Sequence, residues 1–304
     1  MLPSCDPDRC PRDAIDATHR DREALAPAAD SGQTREGGTR MGPDLPPDEA
    51  PRYGLDHAWE LERRRLSLLE EVFDPATIRR LDACGVGTGA KCLEIGGGAG
   101  SVAGWLCRAV GPTGHVTATD LDTRWLQELE EPNLSVLVHD ITKDQFAPES
   151  FDIIHARAVL EHIATREDVL PRLVEWLVPG GILLLEDAAN FPVDAAADPG
   201  YGRAWLACSE ILARTGTDYR WPATFPDPLK RAGLRDVGAD VALPMMRGGS
   251  PVAEFWSLTI EFLRPQVVEA GLLADADIDS ARAYLADSNF WDLSPAIVGA
   301  WGRR

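Results

Sequence analysis

The stretch Cys92-Leu93-Glu94-Ile95-Gly96-Gly97-Gly98-Ala99-Gly100-Ser101 places three alternate glycines between an apolar run and an amphipathic one. A turn without Cβ atoms lets backbone approach a ligand closely and reach positive φ without steric penalty. Gly98, Gly100 and Ala103 satisfy the relaxed dinucleotide fingerprint, yet in that motif the glycines follow the strand at once, whereas Gly98 lies three residues beyond Ile95. Gly96 and Gly98 align better, but Ser101 stands where a third glycine is wanted. Glu94, at the strand's end beside the turn, suits a cationic ligand such as an amino-acid ammonium. A second carboxylate, Asp120, closes the next apolar run twenty residues after Gly100; Asp122 is better placed than Asp120 to cap a helix.

Short apolar runs and amphipathic stretches alternate around these residues. Strands are expected at 91–95, 115–119, 135–139, 151–155 and 181–186, with helices at 101–110, 123–129 and 166–177. This rhythm specifies an α/β fold, a parallel sheet covered by helices on both faces. Upstream, Leu61, Leu66, Leu69, Val72, Ile78 and Leu81 recur at helical spacing across Asp74-Pro75, which predicts two N-terminal helices within a cap over residues 51–90. Downstream, helices are expected at 201–215, from 228 onward, at 252–263 and at 277–286, with strands at 236–243 and 296–301 as an antiparallel closing pair. Helical insertions near 190–232 and 245–290 would stand above the carboxyl edge of the sheet, where ligands of open α/β sheets bind.

The glycine turn and the segments downstream of it resemble motif I and its successors in the class I S-adenosylmethionine-dependent methyltransferases. Five landmarks come in that family's order: the turn itself, Asp120, His139-Asp140-Ile141, Phe151-Asp152-Ile153-Ile154-His155-Ala156-Arg157, and Leu177-Val-Pro-Gly-Gly-Ile182. The resemblance is firm over residues 91–187 and loose over 53–81, and points to small-molecule enzymes of bacterial secondary metabolism and of the ubiquinone/menaquinone type. It implies a Rossmann-like seven-stranded sheet and S-adenosylmethionine as cofactor, whose ammonium and sulfonium agree with Glu94. It further implies that Gly96, Gly98, Gly100, Ser101 and Leu121 belong to the cofactor site, and that Arg157 either contacts the cofactor or caps a helix. By the same token Asp120 meets the ribose hydroxyls, Asp140 the adenine amino group, and Ile141 the ring.

Methyl transfer from a sulfonium is an in-line displacement, so the protein chiefly aligns acceptor and methyl and excludes water; a general base is optional. In the resemblance His162 of Glu161-His162 lies near the transferring methyl, as a base or as a packing group. Asp187 and Asn190, after the fifth strand, are candidates to position an acceptor. His155 reads as a core group or one standing behind a residue of the site, and Glu186 as facing the sheet interior or the N-terminal helices. Tyr201, Trp205, Tyr219, Trp221, Phe225, Phe255, Trp256 and Phe262, with Met245 and Met246, are expected to line a pocket for a hydrophobic, planar substrate, with Tyr53 and His57 closing it. No histidine or acidic cluster has metal-ligand spacing.

Composition narrows the partners. A formal net charge of −19 repels nucleic acid and anionic membranes, and no apolar run reaches the roughly 18 residues of a membrane span. The six cysteines lack paired spacing, which suits reduced thiols and a cytoplasmic protein with a small-molecule partner; a homodimer is the assembly considered. Residues 1–50, rich in Pro, Gly, Asp and Arg, read as a disordered tail, and Met41 is an alternative start. Residues 91–304 then form the methyltransferase domain. Two alternatives stay open at this level: a cofactor-binding cyclase or regulator that transfers no methyl group, and an NAD-dependent oxidoreductase.

Overall fold

The computed structural model describes residues 61–304. The expected tail, Tyr53, His57 and the first part of the N-terminal cap lie outside the described residues.

The core is a sheet of β1 (Lys91–Ile95), β2 (His115–Asp120), β3 (Leu134–Val138), β4 (Phe151–Arg157), β5 (Leu177–Ala189), β6 (Arg235–Ala242) and β9 (Ala296–Arg303). Their order is β3-β2-β1-β4-β5-β9-β6, and β9 is antiparallel to both of its neighbours while the first five pair in parallel. This is the Rossmann-like seven-stranded arrangement expected from the sequence. The strand order reverses between β1 and β4, which opens a crevice at the carboxyl ends of these two strands.

Each central strand is apolar on both sides because both sides are covered. Leu93, Ile154, Leu183 and Leu185 pack against Val169, Leu170 and Leu173 of α3 (Arg166–Trp176). On the other face Cys92, Ile153 and Leu184 meet Leu81 of α1 (Glu62–Cys84) and Val102, Leu106 and Val110 of α2 (Ser101–Val110). Glu94, His155 and Glu186 lie on that second face, and their polarity interrupts an otherwise apolar layer.

Three expectations are corrected. The two N-terminal helices are one, α1, which runs unbroken through Pro75; Phe73, Ala76, Thr77 and Arg80 are buried on either side of the proline, so packing offsets the lost backbone bond. The helix expected at 123–129 is only a single turn over Leu126–Glu128, since Glu130-Glu131-Pro132 and the start of β3 leave it no room. A two-stranded ribbon of β7 (Met245–Arg247) and β8 (Trp291–Leu293) is absent from the sequence-based expectation, because three residues are too few to show a period.

Outside the sheet, α4 (Pro199–Ala213), α6 (Pro251–Glu269) and α7 (Asp275–Ala286) share a core of their own built on Tyr201, Trp205, Phe255 and Trp256. Asp198 and Ser250 start α4 and α6 by accepting bonds from Tyr201 N and Ala253 N. The short α5 (Asp227–Arg231) leads into β6. Among the described residues no helix is long and apolar enough to cross a membrane.

Candidate active site

At the tip of β1 the chain turns through Gly96 at φ 67° and Gly98 at φ 55°. A Cβ on Gly96 would run into Cγ2 of Val159, so the loops after β1 and β4 can meet only over a glycine. Gly96 N and Gly97 N donate to the Thr119 carbonyl at 2.8 and 3.0 Å. Gly98 N donates to Oδ2 of Asp120 at 3.0 Å, and Oδ1 accepts from Asp122 N at 3.1 Å. Two backbone donors thereby orient the carboxylate at the end of β2. Ser101 N, in the first turn of α2, donates to Glu70 Oε1 of α1 at 3.0 Å, and the Ser101 hydroxyl is buried with no partner among the described residues.

These groups line a cavity of about 660 Å³ over the crevice. One wall carries Glu94, Gly96, Gly98, Ser101, Asp120, Leu121, Asp140, Ile141 and Arg157 of the expected cofactor residues. Leu121 is 58% exposed, an apolar shelf at the rim, while Ile141 is buried. Gly100 caps α2 instead of facing the cavity. The Asp140 carboxylate, which burial would push up, is held low by Thr142 and Lys143. His139 stacks on Phe146 at 4.6 Å, and both its ring nitrogens are without partner among the described residues. Burial lowers its pKa, so the ring faces the cavity uncharged.

The opposite wall differs from expectation. Phe255 and Trp256 of α6 line it, joined by Thr259, Tyr219 and Ile297. Tyr201 and Trp205 do not: both are fully buried in the helical core, where Trp205 donates to Asn190 Oδ1 at 2.6 Å. Trp221 packs on the α3 side of the sheet and donates to Glu167, and Met245 lies 56% exposed on the β7 ribbon. Aromatic spacing along α4 thus encodes a core, which meets the chamber through α6, Tyr219 and Ile297.

Of the three candidates for chemistry, only His162 reaches the cavity. Its Nδ1 lies 3.0 Å from Thr217 Oγ1 and its Nε2 3.1 Å from Glu161 Oε1, and burial drives its pKa down to about 4. The ring is therefore neutral with both nitrogens engaged. Glu161 accepts from Ala188 N and is pushed up to about 8 by burial. Asp187 is set back from the cavity, with Oδ1 accepting from Val159 N at 3.1 Å; burial and the nearby Glu161 raise it as well. Asn190, expected at the edge of the site, is taken up by Ser209 and Trp205. The positive φ of Ala158, 55°, lies in the same loop.

Beneath the floor runs a buried polar chain. His155 Nδ1 is 2.6 Å from Glu94 Oε2 and its Nε2 is 3.1 Å from Glu186 Oε2. Glu186 in turn is bonded by Thr77 and Arg80 of α1, and Arg80 reaches Asp240 on β6. Arg80 can lie across the sheet because Gly299 of β9 has no side chain to block its guanidinium. Arg157 pairs with Asp74 at 2.8 Å and donates to Thr77 at 3.0 Å. Burial opposes a charge on His155, but Glu94 and bonds to both carboxylates lift its pKa to about 9.

Sequence reasoning missed Arg65 and Glu70 as lining groups, whereas Tyr219 and Glu161 line the cavity as their place among the pocket aromatics and beside His162 led one to expect. A signal for the missed pair existed: Arg65, Leu66, Leu69 and Glu70 fall on one helical face.

Comparison with known proteins gives a consistent set of relatives. Residues 93–185 match a methyltransferase domain model. Over 146 residues the chain is 30% identical to the ubiquinone/menaquinone biosynthesis C-methyltransferase UbiE of Pseudomonas fluorescens, covering 45% of this chain and 57% of that one. It is 26% identical over 177 residues to (S)-coclaurine N-methyltransferase of Papaver somniferum, covering 56% and 45%. The chain spans about half the length of the curated relatives it matches. A solved structure, phosphoethanolamine N-methyltransferase 2 of Haemonchus contortus with phosphomonomethylethanolamine and S-adenosylhomocysteine, shares the fold at TM-score 0.54 and 17% identity, over 85% of this chain and 61% of that one.

Proposed function

We propose, from the premise that this chain is a relative of the class I S-adenosylmethionine-dependent methyltransferases with their domain at residues 93–185, that it methylates an oxygen, nitrogen or carbon of a hydrophobic, ring-bearing small molecule. The observation that carries the proposal is one chamber with two unlike walls, Glu94, Gly96 to Gly98, Asp120 and Asp140 on one side and Phe255, Trp256 and Tyr219 on the other.

The residues present fit the cofactor. Asp120, already turned by Gly98 N and Asp122 N, takes the ribose hydroxyls, and Asp140 with Ile141 takes the adenine. Glu94 takes the ammonium, and the glycine turn admits the backbone to close range. When bound, S-adenosylmethionine supplies a methyl group on a sulfonium, open to in-line displacement. The chain's task is then to press the acceptor against the α6 wall, exclude water and leave the line of attack free.

His162 serves this arrangement as a neutral wall group, since its nitrogens already face Glu161 and Thr217. Asp187 supports the loop at Val159, and Asn190 supports Trp205, so neither touches the acceptor. We extend the proposal to a cytoplasmic role in secondary metabolism, which the structure of a labelled product would test.

The decisive experiment incubates the protein with methyl-labelled S-adenosylmethionine and a panel of aromatic and alicyclic small molecules, with Asp120→Ala as control. Label in a panel compound that the control does not form establishes the reaction. Binding of S-adenosylmethionine without label in any acceptor supports a cofactor-binding protein that transfers no methyl group, and binding of NAD alone overturns the proposal.

A further inference from the structure

We infer that His155 is a positioning residue for the cofactor: clamped between Glu94 and Glu186, its ring holds the Glu94 carboxylate at the cavity floor, where it receives the ammonium of the cofactor's methionine part. The inference rests on the proposed cofactor and adds to it a residue that touches no ligand.

The geometry is specific. Glu94 and His155 are register partners on β1 and β4, and Glu186 lies on the same face of β5, two residues beyond the partner of His155. All three side chains are buried, with His155 fully inside. Only Glu94 of the three borders the cavity. Two carboxylates on one ring, out of water, repel each other unless a cation stands between them. An imidazolium meets that need: Nδ1–H donates to Glu94 and Nε2–H to Glu186, at 2.6 and 3.1 Å.

Further charged groups set the polarity of the chain. From α1, Arg80 binds Glu186 and Thr77 donates to it; from β4, Arg157 points at Asp74 and Thr77; from β6, Asp240 holds the far side of Arg80. Glu186 is thereby saturated by cations and donors, and its pKa falls to about 2 although burial alone would raise it. Among the described residues His155 is the only cation hydrogen-bonded to Glu94, with the Arg157 charge acting on it from farther off, and burial raises its pKa. Without a protonated His155, burial acts on Glu94 with its main opposing charge removed, which favours the neutral form and weakens its attraction for an ammonium.

Calorimetry with two ligands separates this role from a merely structural one. S-adenosylhomocysteine carries the ammonium; 5′-methylthioadenosine carries the adenosine and lacks the amino-acid part. His155→Gln is expected to weaken the first by about tenfold or more and to leave the second within about twofold, because only a charge-assisted bond is lost. As pH rises toward 9, wild-type affinity for S-adenosylhomocysteine should fall more steeply than that of His155→Gln, because only the wild type loses the His155 charge in addition to the ligand's own ammonium. Equal weakening of both ligands, or no weakening of either, overturns the inference. If His155→Gln does not fold, Glu94→Gln must show the same selective loss, and its failure to do so overturns the inference equally. A wild-type protein that binds neither ligand overturns the cofactor reading itself.

Discussion

At the scale of single residues, Asp120 shows how little is needed to orient a carboxylate. Two backbone donors, Gly98 N and Asp122 N, hold both carboxylate oxygens in place, so substitution removes a group whose orientation has already been fixed. Asp120→Ala should weaken S-adenosylmethionine binding by about 1.5–3 kcal/mol, the scale of hydrogen bonds to a charged group, as read by calorimetry. Unchanged affinity would remove Asp120 from the site. His162 leads to a different expectation. With its pKa near 4, it should contribute no limb to a rate profile between about pH 5.5 and 7.5. A limb in that window that vanishes in His162→Ala would make it the base after all. Asp120 and the glycine turn were legible in the sequence because spacing along one strand and one turn determines them. Asn190 was misread because its partner, Trp205, lies fifteen residues away on α4.

At the scale of elements, two glycines set how closely neighbours approach. Gly96 does so for the loops after β1 and β4, and Gly299 lets Arg80 of α1 lie against β9 and reach Glu186. Gly299→Ala should displace the guanidinium from a buried carboxylate and destabilise the fold by about 3 kcal/mol in urea denaturation, the scale for breaking a buried pair. Glu254→Ala, which severs the half-exposed tie of Arg64 on α1 to α6, should cost less than about 1 kcal/mol. A Gly299→Ala variant no less stable than Glu254→Ala would show that Arg80 has other room. The strands were readable from apolar runs buried on both faces. The continuity of α1 through Pro75 was not, since a proline signals a break locally while the helix is held by burial of Phe73, Thr77 and Arg80. For the same reason the aromatic spacing of α4 and α6 indicated a helix in each case but not which side of it met the cavity.

At the scale of the molecule, the buried groups set opposing demands on pH. Glu161 and Asp187 titrate near 8 in the fold against 4.5 and 3.8 in ordinary surroundings, so the fold binds protons that the unfolded chain releases. Their contribution is full in acid and is lost as pH rises through about 8. His162 acts in reverse: lowered to about 4 from 6.5, its contribution is present above 6.5 and is lost as pH falls toward 4. Above about pH 4.5 the loss from the two carboxyls outweighs the gain from His162, so the urea midpoint should be highest in mild acid and decline toward pH 8, and Glu161→Gln should flatten that decline; an unaltered slope would mean that Glu161 is already ionised. The division of the chamber between two stretches of chain carries a further consequence. The expected cofactor residues all fall between Glu94 and Arg157, whereas Tyr219, Phe255, Trp256 and Thr259 are encoded later. After gene duplication, a protein working as proposed can drift toward new acceptors through mutations in its last third while selection keeps the proposed donor-binding segment unchanged, so descendants can diversify in chemistry without reinventing its source.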